Sequence, residues 1–319
     1  MNTAAVILAA GMGKRMRSEL PKVMHPVLAV PMIERAARAA EAAGVTEVIV
    51  VIGHGRNTVI PLLEKNGWNW AIQEEQLGTA HAVSCATDQI GNADEVVILM
   101  GDVPLLREET IEELLHARRK NNALLAVLTT TPPDVTGYGR VIMDHQGRID
   151  RIVEEKDASV EERECRVINT GIMAFDGSVL AGVLSRIGNA NAQNEFYLTD
   201  AVAIVAEMGR KAIPVFTPAW QEVAGVNNPV QLVRCTSEMK RRVVESHLLS
   251  GVVIPDADSV WIEESVIIGK GTVIGRNCRL SGDAVIGTGV VIGDGSIVDG
   301  VVVESGEIVE EYSILGAAE

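Results

Sequence analysis

Val6-Ile7-Leu8-Ala9-Ala10-Gly11-Met12-Gly13-Lys14-Arg15-Met16, with Leu20-Pro21-Lys22 close behind, is the stretch from which the fold of this 319-residue chain is read. The run Val6–Ala10 has the unbroken apolar character of a strand buried on both faces of a parallel sheet. Glycines directly after such a strand let backbone N–H groups approach phosphate oxygens at the start of a turn or helix. Arg15 and Lys22 bring two cations to the same mouth. A dinucleotide fingerprint would need a third glycine where Met16 stands, and a Walker loop would need Gly-Lys-Ser/Thr where the chain has Met16-Arg17-Ser18. A strand followed by a glycine turn is also a common structural device. The two cations at this spacing are what point to a nucleoside triphosphate.

Strand-like and helix-like segments alternate through the first two-thirds: Val6–Ala10, a helix over Pro31–Ala43 stopped by Gly44, Val48–Ile52, Val96–Met100, a helix over Glu108–Lys120, and Leu124–Leu128. The alternation predicts βαβ units and a mostly parallel, doubly wound, Rossmann-like α/β sheet. Ligands of such sheets sit at the carboxyl ends of the strands, where the Gly11 loop and Gly101-Asp102 both fall.

The last third obeys another period. Ile262, Ile268, Ile274, Leu280, Ile286, Ile292 and Val298 recur every six residues, mostly with Gly, Ser or Asp just after them. This is the hexapeptide pattern of a left-handed parallel β-helix, in which one aliphatic residue per short strand points into a triangular core. A slip is expected near Val298–Val302, with the register resuming at Val302, Ile308 and Ile314. At about 18 residues per turn the segment allows three or four turns. Asn228–Ser250 carries apolar residues among charged ones, with Pro229 in its first turn and Gly251 as its stop, and reads as a connecting helix. The expected domains are residues 1–228, a connecting helix at 229–250, and a repeat unit at 251–319.

The net charge of −15 argues against wrapping nucleic acid, which demands a basic face. Cys85, Cys165, Cys235 and Cys278 are scattered without paired ligand spacing and read as reduced packing residues, so no structural zinc is expected. The basic residues follow the first apolar run instead of preceding it, unlike a secretory signal. No apolar stretch approaches the roughly 20 residues needed to span a bilayer. A cytoplasmic protein is expected, without membrane contact.

Further motifs follow in order: Gln73-Glu74-Glu75-Gln76-Leu77-Gly78-Thr79-Ala80-His81-Ala82, Gly101-Asp102-Val103-Pro104-Leu105, Gly137-Tyr138-Gly139-Arg140, Val153-Glu154-Glu155-Lys156-Asp157-Ala158, Asn169-Thr170-Gly171, Asn191 to Asp200, and Gly225-Val226-Asn227-Asn228. With the first loop, they resemble the sugar-phosphate nucleotidyltransferases, and among them the N-acetylglucosamine-1-phosphate uridylyltransferases, the N-terminal domains of bacterial bifunctional enzymes. The resemblance covers roughly residues 4 to 235. It implies that UTP and N-acetylglucosamine 1-phosphate are joined with release of pyrophosphate, with Mg²⁺ as cofactor. Arg15 and Lys22 would be the catalytic cations, drawing charge off the triphosphate. Leu8, Ala9, Ala10, Gly11 and Gly101 would line the nucleotide. Asp102, just past an apolar strand, would reach the metal, although an aspartate before Pro104 also reads as a helix N-cap. Asn227 as the partner metal ligand rests on the resemblance alone. Gln73 suits a uracil edge, and Gly78 and Thr79 the base and ribose. Gly139, Glu154 and Asn169 stand at positions that hold the sugar, though Glu154 beside Glu155 also reads as a solvated acidic patch. His25, His54 and His81 have no metal-ligand spacing and are assigned no chemistry. Lys14, Ala29 and Met100 depart from the family pattern, where threonine, glycine and tyrosine are common.

In the bifunctional relatives a longer β-helix carries an acetyltransferase site with a catalytic histidine. Val252–Glu319 holds no histidine and only Lys270, Arg276 and Arg279 as bases, so acetyl transfer is expected to be absent. A short β-helix buries its faces poorly alone, and a homotrimer formed through it is expected. Three other readings compete: an enzyme for another hexose 1-phosphate, a non-catalytic regulatory subunit, and a hexapeptide acyltransferase. The regulatory subunit would be expected to have lost Arg15, Lys22 or Asp102, all of which are present. The acyltransferase is opposed by the missing histidine.

Overall fold

In the computed structural model, which describes residues 1–210 and 212–316, the apolar runs of the first two-thirds become strands. In chain order these are β1 (Thr3–Leu8), β2 (Pro26–Val27), β3 (Val30–Pro31), β4 (Glu47–Ile52), β5 (Asn69–Ile72), β6 (Glu95–Met100), β7 (Leu125–Thr130), β8 (Arg140–Met143), β9 (Ile149–Val153), β10 (Ile168–Asp176) and β11 (Ile213–Phe216). Nine of them form one sheet in the order β11-β7-β10-β6-β1-β4-β5, with the β8–β9 hairpin attached to β10. β1 runs parallel to β4 and β6, while β10 is antiparallel to β6 and β7. The sheet is therefore doubly wound and mostly parallel, as the alternation predicts.

The unbroken apolar run of β1 follows from its two covered faces. Ala4 and Val6 pack into one core with Ile49, Val51, Val96 and Ile98. Ala5 and Ile7 enter a second core with Val50, Val97 and Leu99. Ladder pairing stops at Leu8, so Ala9 and Ala10, expected within the strand, already belong to the loop. The helix expected from Pro31 starts at Met32 and ends at Ala42, and Glu108–Lys120 forms as expected.

The chain divides into two compact units, Met1–His25 with Pro31–Gln231, and Pro26–Val30 with Leu232–Glu319. A 21-residue helix spans Pro229–Leu249. Beyond it, two- and three-residue strands stack in parallel into three sheets of four, three and three strands among the described residues, the architecture of a short left-handed β-helix. Ile262, Ile274, Leu280, Ile286, Ile292 and Val298 are buried to within 1%.

One expectation for this unit is corrected. After the slip, Val302, Ile308 and Ile314 face outward, with Val302 65% exposed, and the inward positions pass to Val303, Val309 and Leu315, with Val303 1% exposed. Leu280 pairs with Val298 eighteen residues on, but Ile286 pairs with Val303 only seventeen on. One residue is missing from the corner between Val298 and Val303. Both members of each later pair are aliphatic, so hydrophobic period alone selects the wrong one.

The β2–β3 hairpin turns through Leu28 and Ala29, both at positive φ, 47° and 70°. Two-residue hairpin turns of this kind favour glycine at the second position, because a Cβ there is strained by about 1–2 kcal/mol. Glycine gives back part of that gain as unfolded-chain entropy, about 0.5–1 kcal/mol. Ala29→Gly is therefore expected to stabilise the fold by about 0.5–1 kcal/mol, read as a rise in Tm or in the denaturant midpoint. A fall in either would contradict the strain at this turn.

Candidate active site

β1, β4, β5 and β6 end at one level. Leu8 is paired with Val51 on one side and Met100 on the other. Backbone hydrogen bonds carry the alignment one residue further: Ala9 N–H donates to the Val51 carbonyl at 2.9 Å, Gly101 N–H to Leu8 at 3.0 Å, and Gln73 N–H to Ile52 at 2.8 Å. Because β4 and β6 flank β1, the chain crosses over in opposite directions from it and a crevice opens at its carboxyl end. A cleft of about 220 Å³ lies there. Leu8, Ala9, Ala10, Gly11, Lys22, Gln73, Gly78, Thr79 and Asp102 line it, together with Gln76, Met100 and Glu195.

The loop after β1 reaches Gly13 in the left-handed region at φ 59° and closes a 3₁₀ turn over Lys14–Met16. A Cβ on Gly13 would lie 2.7 Å from Lys22 Cβ, so the bare glycine lets the two segments pack. Lys22 starts a second 3₁₀ turn after Pro21. Its Nζ forms an ion pair with Asp102 Oδ2 and lies 3.3 Å from Asn227 Oδ1. The Lys22 and Asp102 side chains are only 16% and 13% exposed, where screening is weaker than on an open surface. Val226 N–H donates to the Asp102 carbonyl at 2.8 Å, and Asn227 N–H to Gln231 Oε1 at 2.7 Å, which locks Asn227 beside Asp102.

A cation thus already lies between a carboxylate and an amide oxygen. Both are hard oxygen donors of the kind that bind Mg²⁺, an ion usually held by one or two carboxylates plus water and substrate phosphates. Asp102 and Asn227 therefore fit a divalent metal.

Gln73 Nε2 donates to the Gly78 carbonyl at 3.1 Å. Gly78 has φ 117°, and a Cβ there would meet the Phe196 carbonyl oxygen at 2.5 Å. Thr79 Oγ1 accepts from Leu198 N–H at 2.9 Å, so this hydroxyl also ties 77–79 to 196–198.

Gly139, Glu154 and Asn169 form a second group, outside the lining of that cleft. Asn169 N–H donates to the Gly139 carbonyl at 2.9 Å, and a Cβ on Gly139 would stand 3.3 Å from Glu154 Oε1. Thr199 Oγ1 donates to Glu154 Oε1 at 3.4 Å. Burial pushes the Glu154 carboxyl up from its usual range, and the charges of Asp157, Asp200 and Glu195 push it the same way. Asp200 is raised too, by burial and by Asp157. Glu154 is thus no solvated patch residue.

Arg15 sits exposed on the Lys14–Met16 turn and is not among the residues lining the cleft. Sequence reasoning did not single out Thr199, Glu195 or Gln76. Their only signal was membership of ordered motifs quoted for other residues.

Residues 5–146 match the family described as the MobA-like NTP transferase domain. The chain is 42% identical over 272 residues to the bifunctional protein GlmU of Geobacter sulfurreducens, an overlap of 84% of this chain and 57% of that protein. It is 44% identical over 266 residues to GlmU of Caldanaerobacter subterraneus, covering 83% and 58%. The chain therefore spans less than two thirds of the length of these relatives. Among solved structures, a UDP-glucose pyrophosphorylase complexed with UDP-glucose superposes with a TM-score of 0.61 at 18% identity, over 76% of this chain and 100% of that one, which supports the fold. No described helix is long and apolar enough to cross a membrane. Residues 5–146, with their glycine loop and a cation-bearing crevice at the switch point of a doubly wound sheet, thus carry a MobA-like NTP transferase domain, and the chain is homologous over most of its length to the GlmU proteins.

Proposed function

We propose that the chain is a uridylyltransferase that joins UTP and N-acetylglucosamine 1-phosphate, forming UDP-N-acetylglucosamine and pyrophosphate. The observation that carries this reading is the convergence of Lys22, Asp102 and Asn227 beside the Gly11 loop. A phosphate oxygen of the sugar phosphate attacks the α-phosphorus of UTP, and the bond from that phosphorus to the oxygen bridging to the β-phosphate breaks. Pyrophosphate leaves with the electron pair. No protein nucleophile is needed, so the chain contributes alignment and charge neutralisation.

Lys22 supplies a fixed ammonium in the cleft, and backbone N–H groups of the Gly11 loop face the phosphates. Arg15 adds its charge from the exposed turn. Asp102 and Asn227 would hold Mg²⁺, which when bound offsets the negative charge of the phosphates. Gln73, Gly78 and Thr79 take the uridine. Gly139, Glu154 and Asn169 take the sugar, with the Glu154 carboxylate accepting from its hydroxyl or amide groups. The repeat unit serves assembly: its outward-facing Ile267, Val302, Ile308 and Ile314 are more than half exposed, and burying them between copies favours a homotrimer.

Purified protein is expected to release pyrophosphate from UTP and N-acetylglucosamine 1-phosphate, and equal rates with glucose 1-phosphate would sink the substrate assignment. Asp102→Ala should lower kcat by about 10²-fold or more. Wild-type turnover in that variant would remove Asp102 from the site.

Glu154→Gln separates stability from binding. A carboxyl raised in the folded state favours folding at low pH and loses that contribution as pH rises through its folded pKa. The amide carries no such penalty. Its Tm should exceed the wild type's near neutral pH, with the margin shrinking on acidification, while KM for the sugar phosphate rises about tenfold. A variant less stable at neutral pH would contradict the buried charge.

A further inference from the structure

We infer that His81 is a positioning residue that holds the Gln73 amide with its carbonyl oxygen free for the ligand, and so sets the preference of the site for a pyrimidine bearing an N3–H. The inference deepens the proposed function and rests on reading the cleft as the nucleotide site.

Gln73 is 3% exposed and lines the cleft. Its Nε2 has two hydrogens and two neighbours, the Gly78 carbonyl at 3.1 Å and His81 Nδ1 at 3.0 Å. A backbone carbonyl can only accept, so the nitrogen of the amide must face it, and a flipped amide would set two oxygens against each other. His81 Nδ1 must then accept the second hydrogen, which places the imidazole proton on Nε2. That nitrogen lies 4.0 Å from Cys85 Sγ, and burial pushes the Cys85 thiol up, so the neighbour is a neutral sulfur able to accept weakly. The three side chains form one chain in which donation runs from amide to imidazole to sulfur.

The consequence is chemical. With both Nε2 hydrogens taken, Oε1 is the group of Gln73 with no hydrogen bond among the described residues, and it is an acceptor. Uracil and thymine present a donor at N3, whereas cytosine presents an acceptor there. Pairing with cytosine would require the amide to flip, opposing the Gly78 oxygen and either losing the His81 bond or driving the imidazole to its other tautomer against the Cys85 thiol. Gly78 and His81 therefore each resist the flip, and Gly78 cannot be relieved by a side-chain change.

The test compares His81→Phe, which keeps a ring but offers no acceptor, with His81→Asn, whose side-chain oxygen replaces Nδ1. KM and kcat are measured for UTP and CTP at saturating sugar phosphate, and binding of each nucleotide alone is measured by calorimetry. His81→Phe should raise KM for UTP about fivefold with kcat within about twofold, and lower the UTP-to-CTP ratio of kcat/KM about tenfold, as expected for one lost polar contact. His81→Asn should recover most of the ratio. An unchanged ratio in His81→Phe, an equal fall in kcat with both nucleotides, or no recovery in His81→Asn would overturn the inference. If His81→Phe does not fold, His81→Ala against His81→Asn carries the same comparison. A wild-type protein that binds UTP over CTP but transfers to no sugar phosphate would defeat the proposed function and leave this inference standing. Wild-type binding indifferent to the base would overturn the inference itself.

Discussion

Parallel pairing of β1 with β4 and β6 is the constraint on which the site depends. The Gly11 loop, Gln73 and Asp102 come together because Leu8 is level with Val51 and Met100. A slip of two residues would carry Asp102 about 7 Å along the sheet. Yet a strand apolar on both faces carries little register information of its own, since a one-residue slip exchanges one core position for another. The alignment is set instead at the opposite end of the sheet. There Asp94 N–H donates to the Asn2 carbonyl at 2.9 Å and Asn2 N–H returns to Asp94 Oδ2 at 2.7 Å, while Thr46 N–H donates to Thr3 at 2.9 Å and Thr3 N–H to Thr46 Oγ1 at 3.1 Å. Polar clamps at one end thus determine which residues meet at the other.

Much of this fold was legible in the sequence because β1, β4 and β6 announce themselves as short apolar runs bounded by glycine or polar residues. What escaped notice had weaker signals. β10 is nine residues long, but Asn169-Thr170-Gly171 interrupts its apolar run, and its register with β7 shifts between Asn169 and Met173. The helix Arg56–Asn66 contains Pro61, a residue that argues against a helix interior. Long-range geometry was less accessible still. Lys22 and Asp102 are 80 residues apart, and no local pattern announces their ion pair. The doubly wound pattern put the Gly11 loop and Asp102 at the same end of the sheet, and the resemblance to a family gave Lys22 and Asp102 roles in one site. The same resemblance named Arg15 with equal weight, and the structure leaves it exposed on its turn.

The β-helix teaches a different lesson about period. Seven residues at intervals of six mark its core, all but Ile262 followed by Gly, Ser or Asp, although strands such as Val285-Ile286 and Val291-Ile292 are aliphatic in both positions. Beyond Val298 the strands read Val302-Val303, Ile308-Val309 and Ile314-Leu315, aliphatic in both positions. Only the backbone pairing, with Ile286 opposite Val303, decides which member points inward. The outward member is then an apolar residue in water, so each strand after the one-residue shortening exposes an aliphatic side chain, Val302, Ile308 and Ile314, as Ile267 does before it.

Charge is distributed unevenly around the proposed site, and this bears on how a ligand would be oriented. Lys22 is a fixed cation of the cleft beside the glycine loop, whereas Asp157, Glu195 and Asp200 crowd around Glu154, with Glu195 also on the cleft lining. A phosphate brought against those carboxylates would meet like charge, at a site where burial has already raised Glu154 and Asp200. A neutral, hydroxyl-rich group would instead offer them donors. Under the proposed reading, the acidic cluster therefore disfavours the phosphate end of a sugar phosphate and favours the sugar end, and Lys22 does the reverse. On that reading the raised carboxyls, which weaken the folded state near neutral pH, are the cost of favouring one orientation of the substrate over the reverse.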